Sequence, residues 1–311
     1  MPTISIIIPA YNAERTILET IQSVQQQTFS DFELIVINDG STDRTLELLQ
    51  SIKDQRLKIF SYENGGLPVA RNRGMSQATG EFITFIDADD LWTPDKLELQ
   101  LATLQKHPEA GVAYSWTYFM YEKTNTILPG EQVLFEGNVQ RNLLIRNFLD
   151  NGSNPLIRKQ AIASVGEFEP SCAGYADWDY WLRLSARWNF VLVPKHQIFY
   201  RISSGSMSTQ VQAMEDAGLL VVERAFRAVP LELKHLKNQS LAGVYWYSAH
   251  LYLHNNGNSI DGVNQGGQKL WRSIHLFPTI LLETHGQNLA KWLIRRWIKV
   301  YFFKLLNVQI T

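Results

Sequence analysis

The chain has 311 residues, 45% hydrophobic and 19% charged, and a formal net charge of -1. That length holds one large domain or a domain with an extension, and the composition excludes a disordered chain. Near-neutral charge leaves no electrostatic footprint for nucleic acid, and the single cysteine, Cys172, excludes an intrachain disulfide and a cysteine-based zinc site.

In chain order, Ile4 to Ile8 is a continuous apolar run stopped by Pro9, as expected of a strand covered on both faces. Ile17, Leu18, Ile21 and Val24 recur at helical spacing. Leu34 to Ile37 reads as a second buried strand, followed by a helix marked by Leu46, Leu49 and Ile52. Leu57 to Phe60 is a short third strand. Gly65-Gly66 leads into a helix through Ala78, with Pro68 tolerable in its first turn. Phe82 to Ile86 is a fourth strand, and Thr93-Pro94 predicts an N-cap and first turn for a helix to Lys106. This alternation predicts an α/β fold, a mostly parallel sheet flanked by helices, with ligands at the carboxyl ends of its strands. Beyond 111 the pattern is less regular: Gly111 to Trp116 and Phe190 to Val193 read as strands, Asp177 to Arg187 as a helix. The chain past about 210 reads as a helical extension, and the soft boundary is placed there.

The segments after the strands carry the candidate chemistry. Asp87-Ala88-Asp89 offers two hard oxygen ligands suited to Mn²⁺ or Mg²⁺, and Asp90 adds charge that a cation would relieve. The alternative is a helix start decorated with Asp. Asp39, after the second strand, could accept a hydrogen bond from a nucleobase N–H, or belong to the turn Asn-Asp-Gly-Ser-Thr-Asp, in which Asp43 is the better cap. Tyr11 could stack on a base or cover the sheet edge. Arg71 and Arg73 could meet a phosphate or carboxylate bidentately, with a surface salt bridge the preferred reading for Arg73. Asp177 and Asp179, two apart, diverge by about 200° on a helix. Only one of them should therefore face a cleft. Asp177 shares its side of the helix with Trp181 and Leu184, so desolvation would strengthen it as a base, although an N-cap role fits equally. No G-x-G-x-x-G follows the first strand and there is no Walker A loop, H-E-x-x-H or G-x-S-x-G; the 7 histidines lack metal spacing.

Together these segments resemble the family 2 inverting glycosyltransferases with a GT-A fold. The matching stretches are Ser5 to Asn12, Asn38 to Asp43, Gly66 to Gly74 and Asp87 to Asp90. They continue with Asn154-Pro155 through Gly166-Glu-Phe168 to Asp177-Trp-Asp-Tyr-Trp-Leu-Arg183, then Tyr200 to Ser208. The resemblance implies a GT-A domain over 1–210, with nucleotide-sugar binding in 1–110 and the acceptor and catalytic part in 111–210, then a helical extension over 211–311. It implies that Pro9, Ala10, Tyr11 and Asp39 hold the base and ribose and that Arg71 approaches the base or diphosphate. Asp87 touches ribose or metal, with Ala88 between it and the metal ligand Asp89. Asp177 matches the catalytic aspartate, and Arg201 approaches the diphosphate. Two positions depart from the pattern. Ala176 stands where the family often has Glu, which leaves the base candidate but removes a helper, and Ser203 where many relatives have His, so that either Arg201 and Ser206 compensate or diphosphate stabilisation is weaker.

The implied activity is transfer of a sugar from a nucleoside diphosphate sugar, UDP-sugar favoured, to a sugar or lipid-linked sugar acceptor in polysaccharide or glycoconjugate synthesis. A catalytically inactive nucleotide-sugar-binding protein is the alternative. An Asp-dependent phosphatase would want its Asp-x-Asp after the first strand, and a nucleotidyltransferase a Gly- and basic-rich opening loop. With no basic leader before the first strand and no apolar stretch of roughly 18 residues, the chain is expected in the cytoplasm. Residues 289–306 combine Lys291, Arg295, Arg296, Lys299 and Lys304 with Trp292, Leu293, Trp297, Ile298 and Phe302. That pattern predicts peripheral contact at the inner face of a membrane, or else an ordinary packed helix.

Overall fold

The computed structural model describes residues 1–203 and 210–305, apart from the side chains of 302–305. The chain divides into two compact units, Met1–Leu143 with Asn147–Ser204, and Leu144–Arg146 with Gly205–Thr311. The boundary expected near 210 falls beside residues outside the described set.

In the first unit the expected alternation is present: β1 (Ile4–Ala10), α1 (Ile17–Gln25), β2 (Phe32–Asp39), α2 (Thr45–Ser51), β3 (Leu57–Tyr62), α3 (Leu67–Gln77) and β4 (Phe82–Phe85). Every position of β1, β2 and β4 is buried, which explains why these strands read as unbroken apolar runs rather than alternating ones. Ile4, Ile6 and Ile8 face one way, onto Ile17, Ile21 and Val24 of α1. Ile7 faces the other way, onto α3: a Cβ on Gly74 would lie 2.3 Å from the Ile7 Cγ2, so helix and strand touch almost backbone to side chain. Away from the site, Glu33 is buried and receives Ser5 Oγ at 2.6 Å, Thr79 N at 2.7 Å and Lys58 Nζ at 2.8 Å. Burial would raise its pKa, but these donors prevail and hold the carboxyl down at about 2.

The rest of the unit is β5 (Leu91–Trp92), α4 (Lys96–Lys106), β6 (Ala110–Tyr121), β7 (Thr126–Pro129), α5 (Gln140–Ile145), β8 (Leu156–Arg158), α6 (Lys159–Val165), α7 (Ala176–Ser185) and β9 (Asn189–Ile202). Among the described residues the sheet has nine strands in the order β3-β2-β1-β4-β8-β6-β9-β5, with β7 on β6. The parallel order is complete from β3 to β4. Beyond β4 the pairing is mixed: β8 runs antiparallel to β4 and β6, β9 parallel to β6, and β5 antiparallel to β9. Strands of 2 and 3 residues, β5 and β8, are too short to leave a periodicity in the sequence.

α4 starts at Lys96 rather than at Thr93-Pro94. The Thr93 N–H donates to the Gln197 carbonyl at 2.9 Å and its hydroxyl to Asp95 at 2.7 Å, so the β5–β9 pairing holds these residues in a turn. β6 and β9 extend well past the expected apolar runs. The stacked rings of His196, Tyr118 and Phe199, with centroids 4.6 and 5.0 Å apart, carry that pairing outward.

The second unit contains α8 (Val211–Ala228), α9 (Lys237–Asn256), α10 (Ile260–Leu276) and α11 (Thr284–Leu305). Ala249, Leu253, Val263, Leu270, Leu289 and Val300 form its core. Beside it, Lys269 Nζ meets Glu215 Oε1 at 2.6 Å with both side chains under a tenth exposed. Among the described residues no helix is long and apolar enough to cross a membrane. Lys269→Met strands the Glu215 carboxylate in that core. Urea unfolding followed by helical circular dichroism should show a loss of about 3–5 kcal/mol, and Glu215→Leu in the same background should restore much of it.

Candidate active site

The residues Asp87-Ala88-Asp89-Asp90 form a turn beyond β4, at its carboxyl end, pinned on all sides. Asp90 N donates back to Asp87 O at 3.0 Å. Ala88 O receives the hydroxyls of Thr16 at 2.8 Å and Thr20 at 3.0 Å. Asp90 is fully buried; Oδ2 accepts from Ser153 Oγ at 2.5 Å and Oδ1 from Arg201 N at 3.0 Å. The same Ser153 hydroxyl accepts from Asp87 N at 3.0 Å, so one side chain ties both ends of the turn. Asp90 is thus a structural acid, and burial, then the neighbouring charges of Asp89 and Asp87, push its carboxyl well up. Asp89 is raised to about 6, first by burial and then by Asp87, with Arg201 opposing.

Arg71 and Asp177 complete this group. Arg71, on α3, is buried and donates to Asp87 Oδ1 at 2.7 Å, while its Nε has no partner. Its guanidinium lies 5.4 Å from the Phe168 ring centroid. Gly152 presses against it: a Cβ there would lie 2.1 Å from an Arg71 terminal nitrogen, which only glycine avoids. Asp177, in the first turn of α7, accepts from Trp178 N at 2.7 Å through Oδ1 and from Asn147 Nδ2 at 3.2 Å through Oδ2. Burial raises its pKa, Arg71 pulls it down and Asp87 pushes it up. Arg71, Asp87 and Asp177 therefore share one electrostatic neighbourhood. Asp179, by contrast, is buried and held by Arg183 Nε at 2.8 Å, as the helical divergence of the two aspartates requires.

Asp39, at the end of β2, is only 2% exposed. Its carboxylate receives Gly65 N at 3.0 Å, Gly66 N at 2.8 Å and Arg73 Nη1 at 2.7 Å. Gly66 supplies its N–H from φ +85, a backbone region that suits glycine. In this conformation Asp39 anchors the Gly-rich loop that opens α3, and Arg73 is the partner of a buried acid rather than of a surface one. Pro9 and Ala10 are the last, buried residues of β1, and Tyr11 beyond them is 54% exposed. Asp43 accepts from Thr45 N at 2.9 Å, but the N-cap of α2 is Arg44, so Asp43 stands one residue before the cap position expected of it.

Arg201, on β9, binds the turn twice, through its N–H to Asp90 and through Nε to Asp89 O at 2.7 Å. Its outer nitrogens reach Glu19 at 2.7 Å and Glu122 at 3.5 Å. Ser206 lies outside the described residues. Ala176 is buried, and the donor to the Asp177 carboxylate comes instead from Asn147, a residue with no motif around it. Ser153, Gly152 and Glu122 were equally silent; only Asn154-Pro155, beside Ser153, stood out in the sequence.

Asp87 and Asp89 fit a hard divalent cation. Both are carboxylates at one strand end, and among the described residues no side chain donates a hydrogen bond to the Asp89 carboxylate. Among the described residues no group of three or more His, Cys, Asp or Glu is gathered to hold a metal by itself. Phosphate oxygens and water would have to complete the shell. Because the folded state holds the Asp89 proton up to about pH 6, against a free-carboxyl pKa of 3.8, ionising it costs stability as pH rises through that interval. In chelator-treated protein, Asp89→Asn should remove this contribution, so that urea stability rises more, or falls less, between these pH values in the variant than in the parent. An identical slope in the variant would contradict this electrostatic account.

A family model described as "Glycosyltransferase like family 2" matches residues 5–251. Among curated proteins, the Escherichia coli UDP-Glc:alpha-D-GlcNAc-diphosphoundecaprenol beta-1,3-glucosyltransferase WfgD is 36% identical over 145 residues, 46% of this chain and 55% of that protein. The Bacillus subtilis putative teichuronic acid biosynthesis glycosyltransferase TuaG is 40% identical over 119 residues, 37% of this chain and 46% of that one. An uncharacterized Rickettsia conorii glycosyltransferase, 42% identical, is matched over 44% of this chain and only 22% of its own length. The chain thus spans about half or less of these relatives. In solved structures, residues 1–349 of Staphylococcus aureus TarS in complex with UDP-GlcNAc share the fold at TM-score 0.64 and 18% identity, over 99% of this chain and 93% of that one. The Pyrobaculum calidifontis mannosyltransferase PcManGT, in complex with GDP-Man and Mn²⁺, gives 0.62 at 17% identity, over 97% and 88%. The folded first half, the pinned carboxylate turn and a family match across most of the chain converge: this protein belongs to glycosyltransferase-like family 2 and has a GT-A fold.

Proposed function

We propose that this chain is an inverting glycosyltransferase that moves a sugar from a nucleoside diphosphate sugar to an acceptor hydroxyl, with Asp177 as the general base. The observation carrying this reading is the electrostatic group of Asp177, Arg71 and Asp87: a raised carboxyl beside a buried guanidinium that also grips the strand-end acid. A UDP-sugar is the favoured donor, since TarS was solved with UDP-GlcNAc and the WfgD name specifies UDP-Glc. The same WfgD name, with that of TuaG, supports a sugar or lipid-linked sugar acceptor in polysaccharide or glycoconjugate synthesis.

In the proposed reaction the acceptor oxygen attacks the anomeric carbon from the side opposite the diphosphate. The new C–O bond forms as the bond to the diphosphate oxygen breaks, and the hydroxyl proton passes to Asp177. Asn147 and the Trp178 N–H fix the Asp177 carboxylate so that its remaining lone pairs meet the acceptor. Asp87 and Asp89 would hold Mn²⁺ or Mg²⁺, which supplies charge neutralisation for the departing diphosphate. Arg201 turns its outer nitrogens to the diphosphate by releasing Glu19, which is 60% exposed. Tyr11, with Pro9 and Ala10, offers the strand edge and ring for the base, and Ala88 keeps the turn narrow. Asp39 reaches the base once Arg73 moves off it.

Asp177→Asn should lower kcat by roughly 10²–10⁴-fold while leaving donor affinity, read by calorimetry, largely intact. Near-normal turnover in this variant would remove Asp177 from the base role. Asp89→Ala should remove both transfer and its response to added Mn²⁺; full activity would dismiss the metal role. A thermal-shift screen of UDP-, dTDP- and GDP-sugars with and without Mn²⁺ ranks the donors. Stabilisation by a donor without transfer to any acceptor would favour the inactive nucleotide-sugar-binding reading.

A further inference from the structure

The second unit exposes large apolar side chains on two adjacent helices. On α11, Ile294 is 58% exposed, Trp297 50% and Ile298 54%. On α10, Trp271 is 65% exposed and stacks on His275. One turn before Trp271, Gly267 joins Val263 and Asn264 of α10 and Leu293, Ile294 and Trp297 of α11 in lining a groove of about 280 Å³. Tyr301 of α11 donates to Asn264 Oδ1 at 3.1 Å.

Charge follows the same helix. α11 has no Asp or Glu along its whole length, and Lys291, Arg295 and Lys299 are exposed beside the apolar stripe. At 100° per residue, Trp297, Ile294 and Ile298 pass directly into Lys291, Arg295 and Lys299 around the outer surface. Arg296, on the inner side, is instead engaged with Asn258 and the Trp292 ring. Leu289, Leu293 and Val300 turn inward to the core. The outward face is therefore apolar and cationic together, on a helix that is not apolar enough to cross a bilayer.

We propose that α11, with Trp271 of α10, seats the chain on an anionic phospholipid surface. The Trp and Ile side chains enter the headgroup boundary and Lys291, Arg295 and Lys299 pair with lipid phosphates, the composition expected of a helix lying in an interface. A second copy of the chain is the poorer occupant. A two-fold contact would oppose this face to itself and bring the same three cations against one another. This inference is independent of the proposed reaction.

The test is flotation of the full chain with phosphatidylglycerol-containing vesicles and with pure phosphatidylcholine vesicles, at low and high salt. The expected result is binding to the anionic vesicles, weakened by salt, and little to the neutral ones. A Lys291→Glu, Arg295→Glu, Lys299→Glu variant should lose roughly a hundredfold in partition, at about one kcal/mol or more per charge. A Trp297→Ser, Ile298→Ser variant should also bind weakly, with an unchanged circular dichroism melt showing that both remain folded. Equal binding to both vesicle types, no binding, or unchanged binding by the charge-reversed variant would overturn the proposal. So would a dimer, seen by light scattering, that Trp297→Ser dissolves.

Discussion

The contact between Arg71 and Asp87 joins the two things this first unit must keep together. Asp87 stands at the carboxyl end of a central strand, and Arg71 rides on the helix that packs against the opposite face of the neighbouring strand. Their 2.7 Å ion pair is almost sealed from water on the arginine side, so its geometry cannot drift without leaving a charge stranded. Everything near it is arranged to keep that arginine in place. Gly152 yields the space a side chain would take, the Phe168 ring lies under the guanidinium, and the Asp39–Gly66 contacts fix the start of its helix. The same guanidinium acts electrostatically on Asp177, on α7, and draws its carboxyl down against burial.

That arrangement concentrates negative charge and relieves only part of it internally. Asp87, Asp89 and Asp90 lie in a row, Asp177 lies close by, and Glu122 adds to the field on Asp89. Asp87 is paired with Arg71, while Asp90 has only neutral donors, the Ser153 hydroxyl and the Arg201 N–H, and is buried altogether. Asp89 stays partly open, with its carboxyl raised. Carboxylates crowded at one strand end raise one another's pKa, and it is this repulsion that the proposed cation would offset. The Glu33 cluster, away from the site, uses the opposite logic: four donors satisfy one acid, and nothing remains for a ligand.

The parts of this design written locally were legible in the sequence. β1, β2 and β4 are buried on both faces, so their residues had to be continuous apolar runs, and the polar residues ending each run marked the carboxyl edge of the sheet. Asp87, Asp89 and Asp177 announced themselves because carboxylates beside apolar strands or aromatic helix faces are costly and need a reason. What distance in the chain decides was not legible. Ser153 holds Asp87 and Asp90 from more than sixty residues away. Asn147 reaches Asp177 across thirty residues from an unremarkable stretch. β5 and β8 exist because longer neighbours recruit them, and Thr93-Pro94 lost its cap role to a carbonyl on β9 that no local pattern could reveal.

Asp177 shows how a fold replaces a missing helper. The residue before it is Ala176, which is buried and offers no polar atom, so the carboxylate cannot be steered from its own chain neighbour. Two donors from different directions do that work. The Trp178 N–H, one of the unpaired donors at the start of α7, holds Oδ1, and the Asn147 amide holds Oδ2. The helix terminus supplies a main-chain contact that any residue but proline can provide, while the amide supplies one that a side-chain change can tune. With both oxygens oriented, the guanidinium of Arg71 opposes the effect of burial on this carboxyl, and the proposed proton transfer to Asp177 rests on that balance.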